Sequence, residues 1–284
     1  AFAIGIVCTA GFGYGLWAAS DFVLHFAVRA ALWGFLLPVF FAVCHRMVPF
    51  FSQGVVPGYV PWRPTWILAA VVGLAWARLL LGTAGALNAL VVLDLALFVL
   101  TAWCAVRWTS FKARGNPLLW TLYAGYAWLP IAMLLQTLRD GAFVAGGEWA
   151  LGRAPIHALG MGFFGGLLIA MVTRVTMGHS GRRLTMDRAA FACFLAVQAA
   201  ATARVLSEVV AAPLAIQWLL LGSIAAWTTA RFDLETGRPP AAPPAATPAV
   251  TLVVSLNGAV VQEVAVDRPR LLVGRSTYCD VHLP

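Results

Sequence analysis

The chain has 284 residues, of which 61% are hydrophobic and 11% charged. Soluble domains carry about 25% charged residues; this composition cannot cover a water-soluble surface of that length, which excludes an ordinary soluble enzyme and places the chain among multi-span membrane proteins. The net charge of +8, from 19 basic and 11 acidic residues, is therefore read first as a topology signal and not as a nucleic-acid surface.

Eight apolar segments are long enough to cross roughly 30 Å of hydrocarbon as helices. In chain order they cover residues 1–19, 22–44, 65–82, 85–107, 117–138, 154–173, 188–210 and 213–230. Ala1 already lies in an apolar run without a basic flank, unlike a signal peptide. Pro117 and Pro213 fall where a first helical turn tolerates proline, whereas Pro38 and Pro130 fall inside segments and predict kinks. Cys8, Cys44, Cys104, Cys193 and Cys279 form no CxxC pair, so no disulfide framework or zinc site is readable.

The connections 45–64, 107–116 and 174–188 and the stretch 231–238 hold eleven basic residues against three acidic ones, a difference of +8. The rest of the apolar part holds five against five, and the last 38 residues three against three. The whole excess sits on alternate connections, which the positive-inside rule assigns to the cytoplasm. With eight spans, both ends of the sequence are then cytoplasmic. The connection 139–153 falls on the outer side.

Histidines are scarce and regularly placed. His25 and His45 flank the second segment, and His157 and His179 the sixth. If these two helices pack together, they present an outer and an inner layer of imidazoles. Neutral imidazole is the commonest metal ligand, and a haem in a helix bundle takes one or two histidines. Copper with a third ligand is equally compatible, because Cys44, Met47, Met171 and Met177 supply soft sulfur near the inner pair. His282, in the tail, reads as a solvated strand residue.

Two stretches are dense in special residues. Residues 44–51 read CHRMVPFF, and residues 154–182 run from APIHALG to MVTRVTMGHSGR. Gly160, Gly162, Gly165 and Gly166 would let a backbone or a flat cofactor come close. Arg174 and Arg182 are suited to an acidic group such as a propionate or phosphate. Together the stretches resemble the NnrS family, with its HRM-x-PFF element and its later HAL-x-x-G and MxTRV-x-x-GH-[ST]-GR elements. His45, Arg46, Met47, Pro49, Phe50 and Phe51 match the first. His157, Ala158, Leu159, Met171, Thr173, Arg174, Val175, Gly178, His179, Ser180, Gly181 and Arg182 match the others.

The resemblance covers residues 1–235. It implies an integral protein of the bacterial inner membrane that contains haem and copper and is linked to nitric oxide metabolism or nitrosative-stress defence. His45, Met47, His157 and His179 are then candidate metal ligands, and Arg46, Arg174 and Arg182 candidate cofactor-binding residues. Family members usually have about twelve spans and an N-terminal histidine-rich element absent from this sequence. The resemblance therefore implies about four further spans, and further ligands, outside it.

From Arg238 the composition changes. Residues 236–250 form a Pro/Ala-rich linker of polyproline type. Residues 251–256 and 259–266 read as strands joined by Asn257-Gly258, a hairpin turn signal. Residues 274–283 (GRSTYCDVHL) resemble the opening of a forkhead-associated (FHA) domain, which implies that Arg275 contacts phosphothreonine on a partner protein. Residues 251–284 are too few for the complete domain.

The expected architecture is an all-α polytopic bundle of about eight spans followed by a short incomplete β tail. Membrane lipid is the expected partner, and nucleic acid is not. Arg29, Arg78 and Asp94, charged within apolar segments, leave a transporter as an alternative, with Arg78 and Asp94 close enough to pair. A membrane-anchored signalling scaffold is the other alternative. No catalytic triad, Walker A element or paired-carboxylate site is visible, so no enzyme activity is assigned.

Overall fold

The structure, a computed structural model, describes residues 2–147, 151–179, 186, 188–209, 250–256, 259–266, 273–274 and 281–282, with the backbone alone at Phe2, Phe111, Arg114, His179 and all residues from 250 onward. The chain divides into two units, Ala1–Glu235 and Thr236–Pro284.

The first unit is all-helical as described. Helix α1 (Phe2–Trp17) is followed by α2 (Asp21–Val55), α3 (Thr65–Thr83), α4 (Leu87–Trp108), α5 (Pro117–Gly146), α6 (Ala154–Gly178) and α7 (Arg188–Val209). Six of these, α2 to α7, are long and apolar enough to cross a membrane, and α1, with 16 residues, is shorter than a span requires. The expectation of eight spans is thus met by six among the described residues. The eighth, at 213–230, lies outside them.

Two helices run eight residues or more further than their hydropathy suggests. The second segment was expected to end at residue 44, but α2 continues to Val55. The fifth was expected to end at 138, but α5 continues to Gly146. Both extensions start at polar residues, His45-Arg46 and Arg139-Asp140, of which the bundle buries His45 and Asp140 while Arg46 stays exposed. At 35 residues, α2 is about 52 Å long at 1.5 Å per residue, well beyond one bilayer core.

Local chemistry explains the boundaries. Asn116 caps α5, its side-chain oxygen accepting from the Leu119 amide at 3.1 Å, and Pro117 follows as the first helical residue. Asp21 sits in the first turn of α2, where a carboxylate suits the helix dipole. Within α2, residues Ala30–Leu36 widen into π-type turns directly before Pro38; the wider turn relieves the clash of the proline ring with the preceding turn's carbonyl. In α6 a second π-type stretch, Ala158–Gly165, covers three of the glycines.

Helix α4 shows how the bundle reads its sequence. Leu90, Asp94, Leu97, Thr101, Cys104 and Trp108 are buried, alternating by four and three along one seam as in left-handed helix packing. Val92, Val99 and Val106, off that seam, are exposed, as lipid-facing residues would be. The central helix is α5, which packs on α4 and α6 and also touches α2. It buries Leu122, Tyr126, Leu129 and Met133.

An aromatic file runs through the core. Phe41 meets Trp108 at 6.1 Å between ring centroids, Trp108 meets Tyr126 at 5.0 Å, and Tyr126 meets Phe163 edge-on at 6.2 Å. Such contacts act by packing, since lipid is as apolar as the core. Buried hydroxyls find partners. Ser52 Oγ donates to the Val48 carbonyl and shares a hydrogen bond with the Tyr123 hydroxyl, and Tyr126 donates to the Thr101 carbonyl. An unsatisfied polar group in this setting would cost several kcal/mol, on the order of a lost hydrogen bond or more.

In the second unit, strands β1 (Val250–Leu256) and β2 (Ala259–Val266) pair antiparallel, from Val250 opposite Val266 to Leu256 opposite Ala259. The register shifts between Val254 and Ser255. Strands β3 (Val273–Gly274) and β4 (Val281–His282) form a short parallel pair. Asn257-Gly258 and Arg275 lie outside the described residues.

Candidate functional site

His45 projects from α2 into the core, 6% exposed. Its Nε2 lies 3.0 Å from the Pro64 carbonyl and can only donate to it, which leaves Nδ1 as the lone-pair nitrogen. Metal-bound imidazoles are commonly held in this way, by a carbonyl on the far nitrogen. The ring stands edge-on to Trp108 at 6.0 Å, and the Trp108 indole donates to the Trp62 carbonyl at 2.8 Å. His45 and Trp108 thereby pin the loop before α3 to the body of α2 and the end of α4. In that loop, Tyr59 donates its hydroxyl to the Trp108 carbonyl at 3.3 Å, and burial raises its pKa above the usual tyrosine value. Beside His45, Cys44 is buried, Met47 half-buried and Arg46 exposed.

His157 is engaged elsewhere. Arg204 of α7 donates from Nη2 to its Nε2 at 2.9 Å. Glu208 Oε1 stands 3.6 Å from the same nitrogen, and Glu208 Oε2 accepts from the Arg153 amide at 3.1 Å. With its Nε2 lone pair taken by a guanidinium, His157 ties the start of α6 to the end of α7. To ligate a metal at Nε2 it would first have to release Arg204.

Helices α2 and α6 meet through side chains and run in the same direction. Phe40 contacts Phe163 and Phe164, at 6.1 and 4.7 Å between centroids. Eleven residues further along each helix, the Arg174 guanidinium lies 3.9 Å over the Phe51 ring. A shift of 123 positions therefore sets the register. It places His179 level with Val56, eleven positions beyond His45, or about 16 Å along the axis. The expected inner layer, His45 with His179, does not form at one depth. The outer layer fails in the same way, because His157 is level with Gly34, nine positions from His25. The cause is the overhang of α2: histidines that looked like matching helix ends are at different heights.

The register instead unites the two motif-rich stretches at one cavity. Phe50, Phe51, Gln53, Gly54 and Val55 from α2 line it with Arg174, Val175 and Gly178 from α6, and Asn116 and Leu118 complete it; its volume is about 600 Å3. The walls are largely apolar. Arg174 lies flat on Phe51, and its Nη1 is buried without a hydrogen-bond partner. A buried guanidinium N–H without a partner calls for an acceptor, best a carboxylate or phosphate oxygen. His179 follows Gly178 on the helix backbone, and Arg182 lies outside the described residues.

The glycines of α6 serve helix packing. A Cβ on Gly162 would overlap the Trp128 ring, and one on Gly166 would lie 2.8 Å from Gln198 Nε2 of α7 and 3.5 Å from the Gly125 Cα. Only the Gly160 position has nothing within 4 Å among these four. The stretch expected to admit a backbone or a flat cofactor makes room for the Trp128 side chain at Gly162 and for Gln198 and the α5 backbone at Gly166.

A second polar cluster lies near the turn at Gly85. Arg78 and Asp94 pair as expected, Arg78 Nε donating to Asp94 Oδ1. They are joined by Gln136, inside the expected fifth segment, and by Asp140, which falls in the expected outer connection 139–153. Their i, i+4 spacing on one face of an apolar helix was the available signal.

Among the described residues, no three His, Cys, Asp or Glu side chains converge as a metal site. The NnrS protein family matches residues 1–232 of the chain. No curated protein and no solved structure matches it.

Proposed function

Because the chain belongs to the NnrS family, we propose that it is a multi-pass protein of the bacterial inner membrane that holds haem and copper and serves nitric oxide metabolism or nitrosative-stress defence. The observation that carries this reading is the convergence of the two family-like stretches, 44–51 and 154–182, on the cavity under Arg174. Its size lies within the usual 300–1,000 Å3 or so of cofactor pockets.

The residues present fit the periphery of a haem better than a closed ligand set. Arg174 would hold a propionate through Nη1, its plane fixed by Phe51. The apolar wall of Phe50, Val55, Leu118 and Val175 would exclude water from the face of the ring. His179, one residue past the lining Gly178, would be the candidate iron ligand, with Arg182 as a second anion holder. His45 lies about 16 Å along the axis from the level of His179, so the two would serve different ions: His45, through Nδ1 and with Met47 nearby, is the candidate for copper. His157 and Arg46 would support the ends of the site. Bound there, the metals would supply diatomic-gas binding and one-electron transfer.

An absorption spectrum with metal analysis of the full chain purified in detergent tests this. A Soret band and bound copper are expected. Arg174→Gln should weaken haem retention by about tenfold or more, the worth of a charge-assisted hydrogen bond. A protein with neither Soret band nor copper after loading overturns the reading.

The charge pattern of the connections supports cytoplasmic placement of both ends. With that placement we assign 1–235 to the membrane bundle, 236–250 to a linker and 251–284 to the start of an FHA-like domain whose Arg275 contacts phosphothreonine. Phosphothreonine peptides should bind the full-length protein and fail to bind its Arg275→Ala variant. Equal binding by both removes Arg275 from the role.

A further inference from the structure

At the end of α4 away from the Gly85 turn, two connections build a polar cavity. The connection after α2 is tied to α4. Tyr59 donates to the Trp108 carbonyl at 3.3 Å, and the Trp108 indole donates to the Trp62 carbonyl at 2.8 Å. After α4 comes the tight turn Phe111–Gly115, closed where the Ala113 amide donates to the Ser110 carbonyl at 3.0 Å. Between the two connections lies a cavity of about 490 Å3, with Arg107, Thr109, Ser110 and Lys112 on its wall.

The charge on this wall is unbalanced. Arg107 and Lys112 are exposed, and no acidic residue lines the cavity among the described residues. From residue 22 to residue 139 the chain contains one acidic residue, Asp94. Asp94 stands 13 positions before Arg107, about 20 Å along α4, and is gripped by Arg78. The segments that build the cavity therefore bring two cations and no carboxylate. The Arg107 guanidinium carbon lies 5.0 Å from the Trp62 ring. A ring face steadies a guanidinium and leaves its N–H groups for an acceptor.

The tryptophans set the depth. Trp103 meets Trp62 at 5.3 Å and Trp66 at 5.8 Å between centroids, and such rings gather at the membrane–water boundary. Trp103 is one turn before Arg107 on α4. Val60 and Val106, both on the cavity wall, are 81% and 77% exposed. The cations thus stand at headgroup level with an apolar flank beside them. A free anion would use the cations alone; the flank suits a ligand that also carries hydrocarbon.

We propose that this cavity binds one anionic phospholipid. Arg107 and Lys112 hold its phosphate, Thr109 and Ser110 donate their hydroxyls, and its acyl chains lie over Val106 and Trp103. The charge pattern of the connections assigns this end to the cytoplasmic leaflet, where basic pockets among helix ends take anionic headgroups. The bound lipid bridges the connections after α2 and α4. The site shares no lining residue with the cavity under Arg174, and its test needs no metal.

Native mass spectrometry of the full chain in a neutral detergent counts the bound ligand. The titrants are phosphatidylglycerol, phosphatidylcholine with the same acyl chains, and inorganic phosphate. One phosphatidylglycerol should be retained about tenfold or more tightly than phosphatidylcholine, the worth of a charge-assisted contact to a net negative headgroup. Arg107→Gln combined with Lys112→Gln should abolish that preference. Arg188→Gln, which removes an exposed cation at the start of α7, should keep it. Because the paired substitutions fall on exposed side chains, the melting temperature without lipid should be unchanged. Phosphatidylglycerol should raise it in the unaltered chain and not in the double variant. Equal retention of the two lipids overturns the proposal, as does an equal loss in Arg188→Gln. Inorganic phosphate bound as tightly as phosphatidylglycerol would make this a free-anion site and overturns it too.

Discussion

Arg78→Met should destabilise the bundle by about 3–5 kcal/mol, the usual cost of removing one partner from a buried ion pair. Methionine fills a similar volume and packs acceptably on Trp33, so the loss would be electrostatic and not a cavity effect. The reason lies in what is left behind. Asp94 is fully enclosed, and both of its oxygens accept from Arg78. Asp140 loses the Arg78 donor and keeps Gln136. Arg78→Lys should recover part of the loss, since the charge returns but the fork that reaches two carboxylates does not. Arg78→Met combined with Asp94→Leu and Asp140→Leu should recover most of it, because replacing a whole buried ionic group by apolar residues is often neutral. Chemical unfolding in detergent micelles, followed by tryptophan fluorescence, measures all three. A loss below about 1 kcal/mol in Arg78→Met, the range of exposed pairs, would mean that water reaches Asp94.

The same cluster marks the limit of what could be read from residues alone. Helix starts were legible: Pro64 before Thr65, Asn116-Pro117 and Arg188 stand where α3, α5 and α7 begin. Helix ends were not, wherever a polar residue is buried by a partner distant in sequence. Arg139-Asp140 looks like the exit of a span, yet Asp140 meets Arg78 across 62 positions. His45-Arg46 looks like another exit, yet His45 is taken in by Pro64 and Trp108. The pairing of Arg78 with Asp94 could be anticipated because a short turn joins their helices. The stacking of Arg174 on Phe51 could not, because it depends on the register of α2 against α6. That register is set by contacts such as Phe40 with Phe164 that have no signature in either helix alone. The histidine layers failed for the same reason: equal distance from a helix end is equal depth only when the ends are level.

Gly125→Val should be strongly damaging, costing about 1–3 kcal/mol or more by overpacking. At this point α5 and α6 cross backbone to backbone. A Cβ on Gly125 would stand 3.1 Å from the Leu167 amide nitrogen and 3.2 Å from the Gly166 carbonyl carbon. Neither atom belongs to a side chain that could turn aside, so α6 as a whole must retreat. Gly125→Ala already demands a few tenths of an ångström; the two methyls of valine demand more. Gly160→Ala is the matched control, because nothing lies within 4 Å of its Cβ and alanine favours a helix over glycine by roughly 0.5–1 kcal/mol. The effect should also travel. Arg174 lies eight positions beyond Gly166, about 12 Å along the same helix, and its contact with Phe51 depends on how close α6 sits to α2 and α5. A thermal melt of Gly125→Val should therefore fall together with anion or haem retention at Arg174, while Gly160→Ala leaves both intact. If retention survives an unchanged fall in stability, the α2–α6 register is held by the phenylalanine contacts and not by the glycine crossing.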